Sequence, residues 1–247
     1  MPKFFRKTRQ KSVFENRITK YILYAIGEII LVVIGILIAV NINNWNNKQE
    51  DRQTEITLLK EIKNSLLSNY KALDFAIELE TEQLEHGKFL LNHLKNKRPF
   101  NDTIVSYLSI PLISYQNSYN NAAFENLKSE GLPYISNDSL KLDISFIYET
   151  RLKSIFTDFP AEMENIISNT FTPFYIKNFV FESLEDDALL TIPNNYDELI
   201  KNQEMSNIVS VAISMKTFAI ARYTNTQKYV KRLHDKIHAE IKKLESL

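Results

Sequence analysis

The stretch Tyr21–Ile42, YILYAIGEIILVVIGILIAVNI, is the one unbroken apolar run in the chain. At about 1.5 Å of rise per residue its 22 residues make a helix roughly 33 Å long, enough to cross the hydrocarbon core of a bilayer. Glu28 opposes insertion, because an acidic side chain at the centre of a span costs up to about 3.5 kcal/mol. Against it stand ten strongly apolar residues within Ile29–Val40, each contributing roughly 0.3–0.6 kcal/mol in favour of the membrane. Ile22, Leu23 and Ile26 add to that total, and Glu28 lies toward one end of the run. The balance predicts a membrane-spanning helix over residues 21–42.

Charge predicts its direction. Residues 1–20 carry Lys3, Arg6, Lys7, Arg9, Lys11, Arg17 and Lys20 against the single acid Glu15. Just beyond the span, Lys48, Arg52 and Lys60 are balanced by Glu50, Asp51 and Glu55. The positive-inside rule then expects residues 1–20 as a basic cytoplasmic tail and residues 43–247 on the outer side. Tyr21, Tyr24 and Trp45 sit near the two ends of the span, where interfacial aromatics belong. A cleaved secretory signal has a shorter apolar core followed by small residues. Here Asn41-Ile42-Asn43-Asn44-Trp45 follows instead, so a retained anchor is expected.

Composition narrows what the outer part can do. Residues 43–247 carry a net charge of −5, which argues against nucleic acid as a partner, since that needs a basic face. The basic tail reads as a contact for anionic membrane lipid. With no cysteine, disulfides, thiolate metal sites and cysteine nucleophiles are excluded together. The four glycines, Gly27, Gly35, Gly87 and Gly131, are too scattered for a phosphate-cradling loop, and no cofactor is implied.

The outer region reads as all-α. From about Gln53 to Lys97, Leu59, Leu66, Leu73 and Leu94 fall on sevens, as do Tyr70, Ile77, Leu84 and Leu91, with Lys63, Glu80 and Gly87 interrupting the seam. That pattern predicts a long bundle helix continuing the span and ending at Pro99. From about Gln203 to Leu247, a stripe of period 3.6 runs through Ile208, Val211, Ala212, Met215, Phe218, Ala219, Thr226, Tyr229, Val230, Leu233, Ile237, Ile241 and Leu244. Two shorter helices are expected over 119–129 and 139–168. Asn137 or Asp138 is the expected N-cap of the second, Gly131 the C′ residue of the first, Pro160 a kink and Pro173 a stop. The expected architecture is a single transmembrane helix leading into an antiparallel bundle of about four helices, the first and last long. The apolar runs Ile104–Ile110 and Phe171, Phe174, Tyr175, Phe179 and Phe181 are expected to cover its ends.

Two stretches point to a family. One runs from Lys3-Phe4-Phe5-Arg6-Lys7 through Tyr21–Glu28, Val32–Ala39 and Asn41–Trp45; the other is Phe124-Glu125-Asn126-Leu127-Lys128-Ser129-Glu130-Gly131 with Ile135–Leu140. In both the chain resembles the domain-of-unknown-function 6090 family. That resemblance implies an uncharacterised Gram-negative membrane protein with one N-terminal span, and it supplies no activity, cofactor or catalytic residue. Glu130 and Lys141 stand where the family leads one to expect a small residue and an arginine.

Within the span, Glu28, Gly35 and Ala39 share a helix face, and Gly35-xxx-Ala39 is a small-xxx-small spacing that admits close helix packing. This face is the expected contact for a second copy or a membrane partner. As an alternative, Glu28 serves an ion-coupled membrane complex, since intramembrane carboxylates are commonly functional. His234 and His238 lie one turn apart, and His86 and His93 share a face. Each couple supplies two imidazoles where a zinc site uses three or four ligands. The acids Asp186-Asp187, Glu78/Glu80/Glu82 and Glu162/Glu164 read as solvated faces. No serine lies in a Gly-x-Ser-x-Gly turn. The expectation is therefore a non-enzymatic, single-pass inner-membrane protein whose helical periplasmic domain contacts an unidentified protein in the membrane or periplasm.

Overall fold

The computed structural model describes the backbone of residues 4–115, 118–183 and 189–246, and the side chains of residues 22–115, 118–182 and 191–246. Contacts divide the chain into two units, Met1–Thr54 and Glu55–Leu247.

The first unit is helix from Phe4 onward, part of α1 (Phe4–Lys95). Every side chain from Ile22 to Lys48 is exposed. The helix is long and apolar enough to cross a membrane. The side chains of the basic cluster Lys3, Arg6, Lys7, Arg9, Lys11, Arg17 and Lys20, and that of Tyr21, lie outside those described.

The second unit is almost wholly helical. The α1 heptads bury Leu59, Ile62, Leu66, Leu73, Leu90 and Leu94. Its end is a Schellman motif: the Arg98 N–H donates to His93 O at 3.2 Å and the Lys97 N–H to Leu94 O at 3.0 Å. Lys97 takes the left-handed conformation (φ 49°) usually left to glycine. Pro99 follows, as expected of a helix stop.

After α1 come α2 (Asp102–Leu108) and a 3₁₀ turn, Ile110–Leu112. The apolar run Ile104–Ile110 is thus itself helical, with Ile104 and Leu108 buried. Helix α3 is Ala122–Asn126, extended by a π turn over Leu127–Gly131. Gly131 does not act as a left-handed C′ residue: its φ is −93°. It is needed for space, since a Cβ there would lie 3.0 Å from both Leu127 Cδ1 and Leu58 Cδ1.

The longest departure from expectation is the middle helical run. It starts at α4 (Asp138–Ser145), passes through π turns at Phe146–Leu152 and Ser154–Asp158, then α5 (Phe159–Ile166), a π turn at Ile167–Phe171 and α6 (Thr172–Asn178). Pro173 does not end it. A proline removes one N–H and its ring crowds the carbonyl four residues back. Here the residue before each proline bonds five residues back, Phe159 N–H to Ser154 O and Thr172 N–H to Ile167 O. The widened turns accommodate Pro160 and Pro173 within a continuing helix.

Strand was not expected. Phe179–Ser183 (β1) and Leu189–Pro193 (β2) pair antiparallel, Phe179 opposite Pro193 and Phe181 opposite Thr191. The run of β-branched and aromatic residues here favours a pleated ribbon. Helices α7 (Tyr196–Leu199) and α8 (Gln203–Glu245) complete the chain. Asparagine caps four helices. Asn101, Asn137, Asn195 and Asn202 accept from the N–H groups of Ile104, Leu140, Glu198 and Glu204. Of the two N-cap candidates for α4, Asn137 is the one used.

Contacts between α1 and α8 join Lys60 to Glu245, Asp74 to Gln227 and Glu80 to Lys216. Two apolar cores lie along this pair. One gathers Leu59, Ile62, Leu66 and Leu73 with Ile144, Tyr148, Leu152, Val230, Leu233 and Ile237. The other gathers Leu90, Leu94, Ile104, Leu108, Phe171, Tyr175, Met205 and Val209. Each fully buried large side chain contributes about 1.5–3 kcal/mol. On α8 the stripe is buried as read, except that Met215 and Tyr229 are half-buried and Val211 and Phe218 face solvent.

Candidate functional site

Between the two cores, one pair of opposite charges replaces apolar contacts. Glu80 follows Ala76, which belongs to the first core, and precedes Leu90 of the second; Lys216 likewise falls between Ala212 and Ala219. Lys216 Nζ donates to Glu80 Oε2 at 3.2 Å and to Ile113 O at 3.2 Å. The two side chains are only 7% and 9% exposed. A small cavity of about 30 Å³, room for one water, adjoins them, lined also by Tyr115, Phe159, Pro160 and Tyr223. Burial, reinforced by the Glu80 charge and opposed by Arg222, pushes the Tyr223 hydroxyl up to about 12. Tyr115 is raised as well, by burial and then by Glu80. Arg222 lies 4.6 Å above the Phe159 ring and donates to Ser154 Oγ at 2.9 Å, tying α8 to the π turn before Pro160.

Two further polar junctions fasten the helices. Asn69 grips the backbone of Asn120 in both directions: its Nδ2 donates to Asn120 O at 2.9 Å and its Oδ1 accepts from Asn120 N–H at 2.7 Å. Ser65 Oγ donates to the same carbonyl at 2.8 Å and accepts from the Tyr148 hydroxyl at 2.7 Å. Burial lifts Tyr148 to about 12, the Ser65 hydrogen bond opposing. Tyr148 also stacks on Phe124, centroids 4.8 Å apart. In the second junction, buried Glu55 accepts from the Ser136 N–H at 2.8 Å and from its hydroxyl at 3.0 Å. Asn137 Nδ2 donates to Glu240 Oε2 at 2.9 Å. The Lys243 hydrogen bond holds Glu240 below its ordinary range, Asn137 assisting against partial desolvation.

Glu28, Gly35 and Ala39 lie on α1 with exposed side chains, and a Cβ on Gly35 would meet nothing within 4 Å. The histidines go separate ways. His234 Nδ1 pairs with Asp235 at 3.1 Å, and His238 Nδ1 faces Lys63 Nζ at 3.4 Å. His86 packs on Tyr107, centroids 4.8 Å apart, and His93 Nε2 lies 3.2 Å from Pro99 O. Among the described residues no three potential metal ligands converge. Asp186 and Asp187 lie outside the described residues. Glu80 departs from the solvated reading of its acidic run, because a core position of α1 carries it. Opposite charges at core positions of both long helices are the signal that would have paired Glu80 with Lys216.

Fold and junctions together define an almost entirely helical protein with an N-terminal helix able to cross a membrane. The model of a family of unknown function, DUF6090, matches residues 28–158, and the chain belongs to that family. The match begins at Glu28 and takes in Phe124, Gly131, Ser136 and Asn137. The contacts of those last four residues build the fold of the second unit. Comparison with curated proteins and with solved structures gives no match.

Proposed function

We propose that this is a non-enzymatic, single-pass inner-membrane protein with residues 1–20 in the cytoplasm and its helical domain in the periplasm, presented for contact with another protein. The observation that carries the reading is the contrast between the two units. The first exposes an apolar helix on all sides, which suits lipid. The second buries Glu55, Asn69, Glu80 and Lys216 in contacts that fasten its own helices. The α1–α8 pairs support an antiparallel bundle of about four helices, with the long middle run and the α2–α3 region completing it. Polar groups committed to packing leave the outer surface as the working part of the domain.

Reporter fusions test the topology. A periplasm-dependent enzyme fused after Leu247 is expected to be active, and a cytoplasm-dependent fluorophore at the same place dark. Extraction by alkaline carbonate should leave the protein in the membrane. A reporter active only in the cytoplasm, or release by carbonate, refutes the reading. A second reading, an ion-coupled subunit working through Glu28, is favoured by the open face that Glu28 shares with Gly35. Glu28→Gln separates the two: loss of a phenotype that depends on the proton gradient, with insertion intact, supports ion coupling.

A further inference from the structure

We infer that the seam between the π turn Phe146–Leu152 and α8 binds a partner-protein segment carrying a carboxylate beside a leucine or phenylalanine, and that Arg151 takes the carboxylate. This rests on the docking reading above and names the site and the chemistry it recognises. In a π turn, residues five apart stand one above the other. Phe146 and Arg151 therefore share a face that an α-helix would split by about 140°. One turn earlier, the Phe146 N–H donates to Leu142 O, which places Leu142 on the same face. The Arg151 guanidinium lies 5.2 Å from the centre of the Phe146 ring and 4.4 Å from that of Tyr229 on α8. Arg232 lies 5.8 Å from the same Tyr229 ring. Two guanidiniums and two rings thus meet where the middle helical run packs on α8.

The chain does not match this charge itself. Arg151 Nε is sealed from solvent with no hydrogen-bond partner, and neither Arg151 nor Arg232 makes an ion pair among the described residues. The acids nearest them in sequence are engaged elsewhere. Asp143 holds Lys236 at 2.6 Å, Glu149 holds Lys128 at 2.6 Å, and Asp235 pairs with His234 at 3.1 Å. An arginine whose plane is fixed by aromatic rings is prepared for the bidentate pairing that suits a carboxylate. The neighbouring surface says what accompanies that carboxylate. Leu142 and Phe146 are 71% and 43% exposed, an apolar pair continuous with the cation, so the occupant brings a large apolar side chain next to its acid. An anionic bilayer fits less well, because Asp143, Glu149 and Asp235 would meet that sheet of charge with like charge. A single carboxylate reaches Arg151 between them.

The test selects short random peptides, displayed on phage, on the full chain in neutral detergent, with counter-selection on Arg151→Gln. Recovered peptides should share an aspartate or glutamate within a few residues of a leucine or phenylalanine. Synthetic copies should lose about tenfold or more in affinity for Arg151→Gln, and Arg151→Lys should restore only part of it, because a point charge lacks the fork. Replacing the peptide's acid by its amide should cost the parent a similar factor and cost Arg151→Gln little more. Arg232→Glu alters an exposed side chain, so its melting should match the parent while its peptide affinity falls. That variant keeps the test decisive if Arg151→Gln folds poorly. A selection that yields no peptide distinguishing parent from variants, or yields peptides without an acid, overturns the assignment. So does Arg151-dependent binding to phosphatidylglycerol vesicles in place of peptide, or Arg151-dependent pairing of the chain with a second copy. The topology reporters are read separately, so a failed selection removes this site and leaves the anchor reading intact.

Discussion

Replacing Lys216 by methionine should be among the most damaging single changes available in the second unit. The lysine is 7% exposed and its ammonium bonds both Glu80 and the Ile113 carbonyl at 3.2 Å. Methionine preserves the bulk of the stem but leaves a nine-tenths-buried carboxylate without its cation and a carbonyl without its donor. Stranding one member of a buried pair costs about 3–5 kcal/mol, and the lost carbonyl bond adds about 1 kcal/mol. Glu80→Gln is milder, about 1–3 kcal/mol, because an amide oxygen still accepts from the lysine. The double variant Glu80→Leu/Lys216→Met should return to within about 1–2 kcal/mol of the parent, since an apolar pair avoids desolvating two ions. Urea unfolding of the full chain in neutral detergent, followed by far-ultraviolet circular dichroism, measures all four proteins. If Lys216→Met lies within about 0.5 kcal/mol of the parent, the change has failed to strand a buried charge, and the polar layer as described is wrong. If the double variant is no better than Lys216→Met, the penalty comes from packing around the cavity.

Other expectations are local. Gly131→Ala should destabilise by about 1 kcal/mol, because the added methyl crowds Leu58 and Leu127 and helix propensity offsets only part of that. Lys97→Gly should stabilise by up to about 1 kcal/mol, relieving a left-handed residue in the Schellman turn; an unchanged melting curve would count against that conformation. His238 is held below its ordinary value of 6.5, chiefly by Lys63. The unfolded chain therefore binds its proton more readily, and stability falls as pH drops through that value. His238→Gln should flatten the pH dependence between about 7.5 and 5.5. Glu240 and Glu245 lie below their ordinary 4.5, through Lys243 and Lys60 respectively. Their contribution is present above that value and is lost as pH falls further, so Lys60→Met should reduce the acid sensitivity of unfolding.

Much was legible before any coordinates. A helix long and apolar enough to cross a membrane could be read because that needs only an uninterrupted apolar run of bilayer length. The two long helices were legible because period and capping are local: the leucine sevens of α1, the stripe on α8 and Asn137 before α4 each lie within a few turns. The stop at Pro173 was misjudged because proline's effect depends on whether the preceding turn widens, and widening is decided by what the helix packs against. The hairpin Phe179–Pro193 was hidden for a related reason, since a short apolar run suits a strand or a buried helix equally well.

What the sequence by itself determined is therefore the set of elements whose stability is local: an apolar helix long enough to cross a membrane, two long amphipathic helices and a cap at Asn137 or Asp138 before α4. Tertiary structure alone decided the meeting of residues distant along the chain, where Glu80 finds Lys216, Asn69 finds Asn120, Glu55 finds Ser136 and Gly131 finds Leu58. The physical reason is that a buried polar group or a missing methyl is favourable only against its particular neighbour, and that neighbour is chosen by the packing of the whole unit.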